Sequence, residues 1–167
     1  KLDVDNEIQK LASKPTALTL FDVRKDNTIG NIEIYNRLQA RYNRRFFVLH
    51  RADLINTLYK KIIRDGINIS FGSSAKPQKR DNRIIISIDD DKTRIEKDLI
   101  VVADGVNSLW KKTLLKENKF KPISQSAYRF TIKSKYLSEK FVNDDINLFL
   151  DVGKHFVAYK LNNQKLV

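Results

Sequence analysis

Leu99-Ile100-Val101-Val102-Ala103-Asp104-Gly105-Val106-Asn107-Ser108 is the stretch from which the fold of this chain is read. Five consecutive apolar residues, 99–103, suit a strand buried on both faces. Asp104-Gly105 ends the run abruptly, and Ser108 caps a helix reaching Leu115, with Lys111, Lys112 and Lys116 in its later turns. In open α/β sheets ligands lie beyond the carboxyl ends of such strands. A Gly there lets backbone approach the ligand, and an Asp presents a carboxylate. The alternative reading of the dipeptide is an ordinary turn or a helix cap.

A second stretch, Phe46-Phe47-Val48-Leu49-His50-Arg51-Ala52-Asp53-Leu54, opens a helix. From Ala52 the apolar residues Leu54, Ile55, Leu58, Ile62 and Ile63 recur at helical spacing, and Asp65-Gly66 closes it. Asp53 in the first turn suits the helix dipole. Arg51 opposes it, which points to an anionic neighbour.

Working outward, residues 4–13 read as a short helix stopped by Pro15. Residues 18–24 and 29–35 alternate around Lys25-Asp26-Asn27 as a hairpin, and residues 36–45 read as a polar loop. Ile67, Ile69 and Phe71 suggest a strand, and residues 72–82 a loop. Residues 83–88 and 93–96 flank Asp89, Asp90 and Asp91 as a second hairpin leading into the 99–103 strand. Beyond Pro122 the character changes, with residues 127–133, 146–150 and 156–161 expected as antiparallel strands with one wet face. The expected class is therefore α/β plus β.

The 167 residues, 41% of them hydrophobic and 10% aromatic, support a folded core over disorder. Their 32 basic against 20 acidic residues, a net charge of +12, raise a nucleic-acid reading. The basic residues are scattered, however, and the densest groups, Arg41-Tyr42-Asn43-Arg44-Arg45 and Lys76-Pro77-Gln78-Lys79-Arg80, fall in expected loops. A solvated surface and no specific nucleic-acid partner are expected. With no Cys there is no disulfide frame, thiolate nucleophile or Cys-based metal site. His50 and His155 are the only histidines, too few for a His-rich metal site, and are read as packed or polar-edge residues. Asp144-Asp145, like Asp89 to Asp91, reads as turn chemistry, and Trp110 and Phe46-Phe47 as core. No apolar run approaches the roughly 20 residues of a membrane span and no signal sequence is visible, so a cytoplasmic setting is expected. The chain has no Met and stops at Val167, just after the alternating Phe156-Val157-Ala158-Tyr159-Lys160-Leu161, which suggests an internal piece of something longer.

His50-Arg51-Ala52-Asp53-Leu54, followed some fifty residues later by Val102-Ala103-Asp104-Gly105-Val106-Asn107-Ser108, resembles the middle of the single-component FAD-dependent aromatic hydroxylases, the class A flavoprotein monooxygenases. Ala127-Tyr128-Arg129, His155-Phe156-Val157-Ala158-Tyr159 and Lys165-Leu166-Val167 look like strands of their salicylate hydroxylase-like branch. The resemblance implies a partial FAD/NAD(P)-binding Rossmann-like domain interwoven with an antiparallel β-sheet substrate domain. Residues 1–15 would be a helix of the FAD region and 16–45 a substrate-domain hairpin. Residues 46–123 would be the FAD-binding segment, and 124–167 the substrate sheet. It implies FAD as cofactor, NAD(P)H as co-substrate, and oxygen delivered through a flavin hydroperoxide to a small aromatic substrate. Arg51 would lie against FAD, and Asp104 and Gly105 near its pyrophosphate, with a part in NAD(P)H handling. Tyr128 and Arg129 would face substrate. Where the family usually opens the following helix with Arg, this chain has Lys111 after Trp110, losing the planar fork. The family's Gly-rich fingerprint and its later Gly-Asp motif are expected outside these residues. The alternatives are a ubiquinone-type or polyene-oxidising flavin monooxygenase and, from another class, a basic nucleic-acid-binding module.

Overall fold

The structure, a computed structural model, describes residues 2–80, 83–88, 93–115, 124–137, 144–162 and 165–166. Asp89, Asp90, Asp91, Lys116, Pro122 and Val167 of the sequence reading lie outside the described residues. The chain divides into two units, Lys1–Ile67 with Ala127–Val167, and Asn68–Ser126.

The first unit is built on a mixed four-stranded sheet. Strand β1 (Leu18–Asp22) turns into β2 (Asn27–Ile32) through an Asx turn in which the Asp22 carboxylate accepts from the Arg24 and Lys25 amides. Asp26 sits at φ +47°, a left-handed position that Asp tolerates. On its other edge β1 runs parallel to β7 (Ile146–Asp151), which turns through Val152-Gly153 into antiparallel β8 (Lys154–Ala158). Asp145 fastens the two parallel strand starts. Its Oδ1 accepts from Thr16 Oγ1 at 2.9 Å and from the Ala17 amide at 3.0 Å, while the Ile146 amide donates to the Ala17 carbonyl. Asp144, its neighbour, pairs with Lys160 at 2.9 Å. The sheet's centre is closed, with Asn147 and its cross-strand partner Ala158 both at 0% exposure.

Two helices lie against each other in the same unit, α1 (Asp5–Leu11) and the longer α3 (Arg51–Arg64). An isolated antiparallel bridge between Ser13 and Val48 ties the chain leaving α1 to the chain entering α3, and Arg64 reaches Glu7 at 3.1 Å. The end of α3 follows its sequence: Gly66 adopts φ +68°, and the Ile67 and Gly66 amides return to the Ile62 and Ile63 carbonyls. A small sheet of β6 (Ile132–Lys133), β9 (Lys160–Leu161) and β10 (Lys165–Leu166) completes the unit.

The expected polar loop at 36–45 is instead helix α2 (Ile34–Tyr42). Ile34 and Leu38, four apart and half-buried, give it an inner face, and the run Arg37-Leu38-Gln39-Ala40-Arg41 consists of good helix formers. Asn43 closes it at φ +51°. Likewise only Ile132 and Lys133 of the strand expected over 127–133 pair with a neighbour.

In the second unit β3 (Ala75–Arg80), β4 (Arg83–Ile88) and β5 (Thr93–Ile95) form an antiparallel sheet, followed by α4 (Leu109–Leu115). β3 occupies residues expected as loop. Pro77 hides its strand character, yet an edge position tolerates a residue without an N–H. The larger correction concerns residues 99–103, expected as a central buried strand. They form no strand, and Leu99, Val101 and Val102 are 80%, 81% and 43% exposed. An apolar run becomes a strand only against a ladder partner, and among the described residues none pairs with it. Ile67, Ile69 and Phe71 also remain outside any strand and exposed, for the same reason.

Candidate functional site

The start of α3 is shaped by His50. With extended backbone, φ −66° and ψ 135°, it takes the N-cap position, and its Nδ1 accepts the Ala52 amide at 3.2 Å. Its carbonyl receives the Asp53 and Leu54 amides, which begin the helical ladder. Arg51, the first helical residue, is exposed and forms no ion pair among the described residues. Its cation therefore stands at the positive end of a 14-residue helix, with Asp53 in the same turn but no ion pair formed.

Asp104 and Gly105 belong to the other unit. Gly105 adopts φ +82°, and a Cβ built there meets nothing within 4 Å, so the backbone conformation alone requires glycine. The Ser108 amide returns to the Gly105 carbonyl at 3.2 Å, and Ser108 Oγ accepts the Lys111 amide at 3.1 Å, the expected cap of α4. Trp110, 6% exposed, donates its indole N–H to the Ala75 carbonyl at 2.9 Å. The core reading of Trp110 holds, with a polar anchor added. Lys111 is exposed, as is Asp104.

Tyr128 and Arg129 lie in the same unit as Arg51, on chain that forms no strand, with Tyr128 90% exposed. They precede Phe130, which belongs to a feature the sequence reading missed. Phe21 and Phe149 face each other in register across β1 and β7 and stack at 4.9 Å between centroids. Phe149 meets its partner Phe156 on β8 at 5.9 Å, and Phe130 stacks on Phe156 at 6.4 Å. Four rings thus form one row on one face of the sheet, with Phe156 and Phe130 still 44% and 60% exposed. Leu-Phe at the same place in Leu18-Thr19-Leu20-Phe21 and Ile146-Asn147-Leu148-Phe149 is its faint signal; the pairing that aligns them is absent from the pattern. Phe46, read as core, is exposed. Among the described residues no cluster of three potential metal ligands occurs, and no helix is long and apolar enough to cross a membrane.

No protein-family description and no curated protein matches the chain. Solved structures do. FqzB is similar over 99% of this chain and 39% of its own, with a TM-score of 0.75 at 22% identity. HpxO of Klebsiella pneumoniae, crystallised with FAD and uric acid, is similar over 96% and 40%, with a TM-score of 0.72 at 18% identity. CtdE, crystallised with FAD and a substrate, is similar over 98% and 41%, with a TM-score of 0.76 at 15% identity. The chain shares their fold. It spans about two-fifths of the length of these proteins.

Proposed function

We propose that this chain is part of an FAD-dependent monooxygenase acting on an aromatic or related planar small molecule, with NAD(P)H as reductant. The observation that carries the proposal is the fold shared with FAD-bound HpxO and CtdE over nearly all of the chain. The motifs at Arg51 and at Asp104-Gly105 support it independently.

Each unit, taken by itself, has a residue that suits contact with a dinucleotide. Arg51 offers an unpaired guanidinium to a phosphate or ribityl oxygen. Gly105 presents its open backbone with no side chain to obstruct an approach. When bound, FAD would supply the redox chemistry that this chain's side chains lack, taking electrons from NAD(P)H and passing oxygen to the substrate. The protein's own part is binding and orientation. The phenylalanine row offers an apolar surface, most exposed at Phe130 and Phe156, on which an aromatic ring gains contact area. Tyr128 and Arg129, exposed and next in sequence to Phe130 of that row, would meet a polar substituent.

Expressed at the full length its gene encodes, the protein should purify yellow and consume NADH or NADPH faster when an aromatic acid or phenol is added. A colourless product that takes up no FAD on reconstitution would refute the proposal.

A further inference from the structure

A cavity of about 290 Å³ opens beside the start of α3, and none of the phenylalanine row lines it. Its lining includes three apolar residues, Leu11 at the end of α1, Ile132 of β6 and Leu161 of β9, the last only 3% exposed. His50, Asp53, Thr131 and Lys133 line it as well. Neither the Asp53 carboxylate nor the Lys133 ammonium has an ion-pair or hydrogen-bond partner among the described residues. His50 accepts the Ala52 amide through Nδ1, so the neutral ring carries its proton on Nε2 and offers a donor. The walls are tied in place: Asn162, also in the lining, donates from Nδ2 to the Lys10 carbonyl at 2.7 Å, and the Ser13–Val48 bridge joins α1 to the entry of α3.

We propose that this cavity binds a free α-amino acid with an apolar or aromatic side chain. Unpaired charges of both signs and three apolar residues line one cavity. A simple carboxylic acid would satisfy Lys133 and the His50 N–H while bringing its charge beside Asp53, and a simple amine would do the reverse beside Lys133. A zwitterion satisfies both, with its ammonium on Asp53, its carboxylate on Lys133 and His50, and its side chain on Leu11, Ile132 and Leu161. The volume is at the lower end of ligand pockets, suited to a molecule of about a dozen heavy atoms such as phenylalanine.

The test is titration of the isotopically labelled protein, at the full length its gene encodes, with L-phenylalanine, 3-phenylpropionate, which lacks the ammonium, and 2-phenylethylamine, which lacks the carboxylate, followed by amide chemical shifts. Saturable shifts centred on Leu11, Ile132 and Leu161 are expected, with each analogue about tenfold or more weaker than phenylalanine. Asp53→Asn should weaken phenylalanine and tighten 3-phenylpropionate, whose carboxylate no longer meets a like charge. Lys133→Gln should weaken phenylalanine and tighten 2-phenylethylamine for the same reason; it lies on a short strand, is exposed, and serves if the helix-start variant folds poorly. The absence of saturable shifts up to the solubility limit, shifts centred elsewhere, or analogues that bind as tightly as the zwitterion would each overturn the proposal.

Discussion

Replacing Trp110 tests how the Asp104-Gly105 loop is held, because the buried indole links α4 to β3 in the second unit. Trp110→Phe keeps a ring in the buried site and removes one hydrogen bond of 2.9 Å to the Ala75 carbonyl. Ala75 is exposed on an edge strand, so water can replace the lost donor, and the cost should be about 1 kcal/mol. Trp110→Ala removes an indole that is 6% exposed. About 200 Å² at roughly 25 cal/mol per Å² gives an upper figure of about 5 kcal/mol, and measured truncations of buried aromatics cost about 3–5 kcal/mol. The chain has two units, so a single global unfolding curve would mix them. Hydrogen exchange at the paired amides of β3 and β4 reads the second unit directly. Exchange there should accelerate about fivefold in the Phe variant and by two powers of ten or more in the Ala variant. In the wild type, the fluorescence of this single tryptophan should redden in step with the same exchange transition. Equal effects of the two substitutions, or an Ala variant within about threefold of wild type, would refute the assigned anchoring role.

Asp145→Ala should destabilise the first unit by about 2–4 kcal/mol, since it strips the carboxylate from Thr16 and from the buried Ala17 amide. Urea unfolding followed by exchange in β1 and β7 measures it, and a loss below about 0.5 kcal/mol would count against the clamp. Acid should weaken the first unit through two carboxyls. Asp151 is held below its ordinary 3.8 by the Arg24 guanidinium and the Val152 amide, and Glu7 below 4.5 by its own backbone amide and Arg64. Because both are depressed on folding, their stabilisation is present above those values and is lost as pH falls through the lower folded ones. Asp151→Asn and Glu7→Gln should flatten the acid limb of a stability-against-pH curve and leave its neutral region level. Arg51→Ala in the full-length protein should weaken FAD retention about tenfold or more, the loss of one charge-assisted hydrogen bond, as read by equilibrium dialysis; unchanged retention would remove Arg51 from the cofactor site.

Features enforced within a few residues were legible in the sequence. The periodicity of Leu54, Leu58 and Ile62, the Gly66 stop, the Ser108 cap, the hairpin around Asp26 and the antiparallel pairing of β4 with β5 all appear, because each depends on side-chain spacing or on φ chemistry local to the chain. The placement of Arg51 at the first turn of α3 belongs to the same class. The parallel pairing of β1 with β7 does not: it joins residues about 128 apart, and with it come the Asp145 clamp and the phenylalanine row. The cavity at His50, Asp53 and Lys133 likewise needs three distant segments brought together. Residues 99–103 mark the boundary between the two kinds of information. Their composition determined that the run is apolar and ends in a glycine turn, and both hold. Whether it becomes a strand depended on a hydrogen-bonding partner that no local pattern specifies, so only the tertiary structure could decide it.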